Sequence, residues 1–235
     1  MALPEPQESI VEFNKKLTSE TSLIKLKLQK PMDFRSGQFI QTIILLDNKK
    51  IRRSWSIASS PKNKDHIELL IKKYKKSLIS PILFKGNVND KITIQGPFGF
   101  FTIIKPYKKE IVFIAAGVGV APLRSMIYDL LENNIDTKVT LIFGFRTEED
   151  YLLKEEWLNL EKRYKNFKII PVISRPEKNI EFFKGYVTDL IPKIIKKTED
   201  IDFYICGPNI MITDTMKVLE LIGINKKQIH VERWQ

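Results

Sequence analysis

Cysteine is almost absent from this chain: one residue in 235, Cys206, accompanied by only two histidines, His66 and His230. A single thiol excludes an intrachain disulfide and any cysteine-rich cluster. So few soft ligands also exclude a zinc or iron–sulfur site within the chain. No run approaches the roughly 18–20 apolar residues that a membrane helix needs. The start, Met1-Ala2-Leu3-Pro4-Glu5-Pro6, lacks the basic and apolar regions of a secretory signal. These absences point to a cytoplasmic protein with no metal and no membrane partner. Internal repeats and low-complexity tracts are missing too, which excludes solenoids and fibrous assemblies.

What is present is an ordinary globular composition, 43% hydrophobic and 29% charged, in a chain long enough for two modest domains. The net charge is +11. Residues 1–107 hold 19 Lys+Arg against 9 Asp+Glu, whereas residues 108–235 hold 20 against 19. The excess therefore sits in the first half. Two readings stay open: a well-solvated lysine-rich surface, or an electrostatic docking face for an acidic protein or nucleic acid.

The first hundred residues read as strands. Apolar residues alternate in Ser22–Leu28, Phe39–Leu46, Trp55–Ala58 and Ile67–Ile71, with turn residues between them. Only Leu78–Phe84 reads as a short helix here, so a small antiparallel β-barrel is expected. After Pro106 the rhythm changes. Ile111–Ala116 is a continuous apolar run, as a buried parallel strand requires. Helix from Pro122, strand at Val139–Phe143, helix at Glu149–Tyr164 and strand at Phe167–Val172 follow. Val187–Ile195, Phe203–Cys206, Asn209–Ile222 and Ile229–Val231 continue the alternation. That order means a doubly wound α/β parallel sheet. The expected division is a barrel over 1–107 and an α/β domain over 108–235.

The strongest local motif is Gly117-Val118-Gly119 with Pro122, between a strand and a helix. Two glycines there allow a tight turn and close approach of a pyrophosphate to the helix N-terminus. Proline near the place of a third glycine departs from the usual dinucleotide fingerprint. Gly-x-Gly-x-x-Pro, however, resembles the ferredoxin–NADP reductase superfamily, and other segments agree in order. Arg53-Ser54-Trp55-Ser56 is similar to the family's Arg-x-Tyr-Ser, and Ser77-Leu78-Ile79-Ser80 to its Gly-x-x-Ser. Gly96-Pro97-Phe98-Gly99, Cys206-Gly207-Pro208 and the terminal Glu232-Arg233-Trp234 also match.

The resemblance implies a flavin-binding barrel followed by a nicotinamide-binding domain. Arg53 would pair with the FAD pyrophosphate, with Ser54 in the same motif. Ser56 would bond near flavin N5, and Trp55 would stack in place of tyrosine without its phenol. Ile71, Lys72 and Lys73 would run beside the flavin, and Ser77 and Ser80 would shape the phosphate turn. Cys206, with Gly207, would lie beside the nicotinamide, Glu232 at the flavin edge and Trp234 over the flavin face. Ser56, Cys206 and Glu232 would thus line the reacting centre. Ser174, Arg175, Lys184 and Tyr186 would hold the 2′-phosphate and adenine, favouring NADP(H) over NAD(H). The implied activity moves hydride between nicotinamide and flavin, and single electrons to or from an acidic ferredoxin or flavodoxin. The alternatives are a reductase subunit of an oxygenase, hydrogenase or similar complex, and a non-catalytic flavin- or nucleotide-binding module. Nucleic acid is disfavoured, because the cations are mostly lysines scattered among strands.

Overall fold

The computed structural model describes residues 3–177 and 181–233. The chain falls into two compact units, residues 1–102 with 124–129, and residues 103–123 with 130–235.

The first unit is an antiparallel sheet of β1 (Gln7–Lys16), β2 (Thr21–Leu28), β3 (Phe39–Leu46), β4 (Lys49–Ser56), β5 (His66–Lys72) and β6 (Lys91–Phe98). Its order is β4-β3-β6-β1-β2-β5, and a lone Ile57–Leu69 bridge joins the two ends. Inward residues of alternating strands, among them Leu26, Ile40, Ile67, Ile71 and Ile94, fill its core. The β3–β4 hairpin turns on Asp47 and Asn48, at φ 47° and 60°. Those are the left-handed conformations of a two-residue turn that matches strand twist. β1 carries a bulge: Val11 faces Leu26 but Phe13 faces Lys25, leaving Glu12 as the extra residue. The helix α1 spans Ser80–Lys85, two residues later than the sequence suggests, with Pro81 in its first turn. β1 and β6 were not expected, and β4 begins well before Trp55 because Lys49–Arg53 mask its strand character with charge.

The second unit holds β7 (Glu110–Ala116), the two ends of α2 (Val120–Glu132, whose residues 124–129 are counted with the first unit), β8 (Lys138–Phe145), α3 (Lys154–Arg163) and β9 (Phe167–Ile173). It continues through β10 (Phe183–Lys184), α4 (Val187–Ile194), β11 (Ile201–Cys206), α5 (Asn209–Leu221) and β12 (Ile229–Glu232). All strands are parallel, in the order β10-β9-β8-β7-β11-β12. Val112, Ile114, Ile142, Phe203 and Ile205 are buried within this sheet's core. The helix expected from Glu149 begins only at Lys154. Residues 148–150 form a tight 3₁₀ turn, and Leu153 stands in the left-handed conformation at φ 59°. This architecture, an antiparallel sheet unit and then a doubly wound parallel one, is the one expected.

Candidate active site

In the first unit, β4 and the turn after β5 frame a groove of about 370 Å³. Arg52 and Arg53 come from one side, and Tyr74, Lys76, Ser77 and Leu78 from the other. Arg53 and Ser77, chosen from sequence, therefore meet on one surface. Ser54, Trp55, Ser56, Ile71, Lys72, Lys73 and Ser80 do not line it.

Several of these have defined structural places. Ser80 is fully buried; its hydroxyl accepts from Tyr74 N at 2.9 Å, and its own N–H donates to Ser77 Oγ at 3.1 Å. Its position makes it the organiser of the turn rather than a surface contact. Trp55 packs half-buried against the core, and its indole N–H donates to Thr42 Oγ1 at 2.9 Å. Ser56 is buried at the end of β4, opposite Phe39. Ile71 is a core residue, and Lys73 places its ammonium 5.1 Å from the Phe84 ring.

Sequence reasoning missed Tyr74 and Arg52, and read Lys76, with Lys73 and Lys75, only as a basic cluster for docking a partner. Tyr74 brings a phenol into the groove, the group that Trp55 lacks. Burial pushes that phenol above the usual tyrosine range, against the pull of the Arg53 guanidinium. Arg52 donates to Gln95 and, at 3.5 Å, to Gln41. Arg52 and Arg53 alternate across β4, so the Arg53 guanidinium, with an ammonium and hydroxyls, is what suits the groove to a pyrophosphate, while Arg52 is held by the two glutamines.

In the second unit the sheet order reverses between β7 and β11, and the loops after both strands lie side by side. Gly117 takes φ +54° with nothing within 4 Å of a notional Cβ. Gly119 is different: a Cβ there would stand 2.3 Å from the Cys206 carbonyl oxygen and 2.7 Å from Gly207 Cα. Val118 and Pro122 are buried beside it. The two loops are thus packed backbone on backbone.

Parallel registers set Cys206 between Ala115 of β7 and Glu232 of β12. Cys206 is fully buried, and burial, with Glu232's charge second, pushes its thiol well above the ordinary range. It is a neutral thiol at physiological pH, not a nucleophile. On the same strand pair, His230 lies against Tyr204, ring centroids 4.6 Å apart, with Nε2 3.6 Å from Asp202. Trp234 lies outside the described residues.

A second cluster forms at the carboxyl ends of β8, β9 and β10. Ser174 N–H donates to Phe145 O at 3.0 Å and Arg175 N–H to Arg146 O at 2.8 Å. Lys184 pairs with Ile173, and exposed Tyr186 caps α4. The four expected residues stand on neighbouring strand ends, and the backbone ladder adds Arg146. Its signal in the sequence was its place directly after an apolar strand. Glu148 faces the same loop, its carboxylate accepting from Glu177 N–H at 3.3 Å. Among the described residues no three His, Cys, Asp or Glu gather as a metal site, and no helix is long and apolar enough to cross a membrane.

Residues 8–103 match the family model of an oxidoreductase FAD-binding domain, and residues 113–217 that of an oxidoreductase NAD-binding domain. The chain is 30% identical to the phenol hydroxylase P5 protein of Acinetobacter pittii, over 97% of this chain and 65% of that protein. It thus spans just under two thirds of that relative's length. It is 32% identical to NADH-cytochrome b5 reductase 1 of Lodderomyces elongisporus, over 95% of this chain and 77% of that protein. Among solved structures, an Amycolatopsis cytochrome P450 reductase shares the fold with a TM-score of 0.90 at 22% identity, covering 99% of this chain and 71% of that one. The chain belongs to the ferredoxin–NADP reductase family of FAD- and NAD-binding flavoprotein oxidoreductases.

Proposed function

We propose that the chain is an FAD-dependent reductase that takes hydride from NADPH and passes electrons singly to an acidic electron-transfer protein. The observation that carries this reading is the groove lined by Arg53, Tyr74, Lys76 and Ser77. Bound FAD supplies hydride acceptance and one-electron release. The chain supplies the rest. Arg53 neutralises the pyrophosphate, and the Ser77–Ser80 bond holds the turn against it. Ser56 donates a hydrogen bond at the isoalloxazine. Gly117 and Gly119 admit a dinucleotide to the carboxyl edge of the second sheet. Cys206, as a neutral thiol, and Glu232 shape the nicotinamide place without covalent chemistry. The purified protein should be yellow, and anaerobic NADPH should bleach it. Mass spectrometry of the heat-released cofactor should give FAD; a colourless chain that takes up no added FAD overturns the reading.

Ser174, Arg175, Lys184, Tyr186 and Arg146 support NADPH over NADH, since a dianionic phosphate needs such a set. Relatives from four organisms are named for NADH, so the ratio of kcat/KM for the two nucleotides is the deciding measurement. The partner is inferred from charge. Lys75 and Lys76 are exposed beside Leu78, which is 65% exposed, giving a cationic rim around apolar surface. Reduction of an acidic ferredoxin should fall steeply from 0.1 to 1 M salt, where the Debye length shrinks from about 10 to about 3 Å, while a neutral quinone is unaffected. Equal salt response of both acceptors removes the docking face. The relatives named as phenol hydroxylase and propane 2-monooxygenase components support a second acceptor class, an oxygenase component.

A further inference from the structure

The bulge at Glu12 changes which residues of β1 face inward. Ser9 and Val11 are buried ahead of it, so without the extra residue Phe13 and Lys15 would continue that face. Instead Asn14 pairs with buried Ile24, and Lys16 with buried Ser22. Two polar side chains are thereby turned onto the face that the core occupies. Bulges are a recognised means of re-aiming a side chain.

Both find the carboxyl end of α1. Asn14 Nδ2 lies 3.3, 3.1 and 2.7 Å from the carbonyl oxygens of Leu83, Phe84 and Gly86. Lys16 Nζ donates to the Phe84 carbonyl and, at 3.4 Å, to Asn14 Oδ1, and stands 3.8 Å from the Phe84 ring centroid. Burial, and then Lys73, hold that ammonium below the ordinary lysine range. A helix of six residues cannot stand alone, and its own backbone caps the Leu83 carbonyl, through Gly86 N–H at 3.1 Å, but offers little to the carbonyls that follow. Asn14 and Lys16 supply the partners, with positive charge at the end where it is favourable. At the other end, Ser80 ties α1 to Tyr74 and Ser77. The helix is thus a short spacer fixed at both ends, and its far end carries one wall of the groove.

We propose that Asn14 and Lys16 are positioning residues for the cofactor's phosphates: by clamping the carboxyl end of α1 they set the Tyr74–Ser80 turn in the geometry that binds FAD. This rests on the reading that the groove takes the FAD pyrophosphate. Neither residue touches the cofactor.

The test compares FAD with riboflavin, which has the same ring and no phosphate, on the full chain stripped of flavin. Asn14→Asp replaces a donor by a carboxylate facing three carbonyls, and Lys16→Met removes the cation at an exposed position. Dissociation constants should rise about tenfold for FAD in each variant, the scale of one lost hydrogen bond, and stay within about twofold for riboflavin. Lys16→Arg, which keeps charge and donors, should bind FAD like the parent. A role in stability alone would lower the melting temperature and weaken both ligands together, or neither. Either result overturns the proposal, and Lys16→Met keeps the test open if Asn14→Asp does not fold. A parent that prefers FAD over riboflavin while the variants keep that preference refutes only the clamp. A parent without the preference refutes the groove reading itself.

Discussion

Alanine at Gly119 and alanine at Gly117 should fail for different reasons, and the difference tests how the nucleotide loop is built. At Gly119 the new methyl would stand 2.3 Å from the Cys206 carbonyl oxygen, 2.6 Å from its carbon and 2.7 Å from Gly207 Cα. Even weak C–H···O contacts run at about 3.3–3.6 Å, so the overlap is about 1 Å. The obstacle is backbone, held by the β7–β11 ladder in which Cys206 pairs with Ala115, and it cannot rotate away. Overpacking of this kind costs roughly 1–3 kcal/mol, which for a chain of this size lowers Tm by about 2–12 °C. The two loops must also part by close to 1 Å, a misplacement that can cost about a hundredfold in rate. At Gly117 nothing lies within 4 Å, and only the φ of +54° opposes a side chain. That penalty is about 1–2 kcal/mol, and the loops stay where they are. Thermal melts and anaerobic stopped-flow bleaching of the flavin by NADPH separate the cases. Gly119→Ala should lose stability and at least tenfold in hydride transfer at saturating NADPH, whereas Gly117→Ala should lose stability and raise KM for NADPH, its methyl entering the space that admits the dinucleotide, with hydride transfer at saturation kept. A Gly119→Ala protein with parental bleaching rates would refute the reasoning.

Three other outcomes are expected. Arg175→Ala and Lys184→Ala should each raise KM for NADPH about tenfold or more and leave KM for NADH nearly unchanged, from loss of a charged hydrogen bond worth roughly 1.5–3 kcal/mol; equal changes would show that the loop does not read the 2′-phosphate. Cys206 should resist a thiol-disulfide reagent at pH 8 in the native protein and release one equivalent in denaturant, because its proton is held well above the usual range by burial and by Glu232; native labelling would contradict its placement. Tyr204's pKa is raised from 10.0 to about 12, chiefly by burial, so between those values the folded chain holds a proton that the unfolded chain has lost. Stability should therefore fall as pH rises from 10 toward 12, with a shallower slope in Tyr204→Phe, measured by denaturant melts.

The second unit was the more legible in sequence. Ile111–Ala116 and Val139–Phe143 are buried on both faces, so their apolar character is unbroken and their strand identity plain. β3, half-buried, was found at its full length because the turn residues Asp47 and Asn48 end it. β1 and most of β4 escaped because charged residues break the alternation, whereas β6 escaped although Ile92-Thr93-Ile94-Gln95 alternates, being short and running into Gly96-Pro97. Arg53 and Ser77 were found through motif spacing. Tyr74 sits in a lysine run that reads as solvated surface, and Arg146 acquires meaning only when β8 and β9 are set in register. Asn14 was beyond reach for a plainer reason. Its direction depends on a bulge, and one inserted residue reverses every later side chain in a strand.

The charged strand β4 has a consequence for how the protein behaves in concentrated solution. It ends the sheet, is hydrogen-bonded along its length to β3 alone among the described residues, and is bridged to β5 only beyond its last residue, at Ile57. Its outer backbone edge is a template on which a second chain can add a strand. Lys49, Lys50, Arg52 and Arg53 are exposed along that strand, and four like charges repel the identical strand of another molecule. Replacing them together by alanine would therefore invite edge-to-edge self-association, and the lost turnover would come from precipitating protein as much as from lost cofactor. Single replacements, or glutamates that keep the strands mutually repelling, leave the chain dispersed.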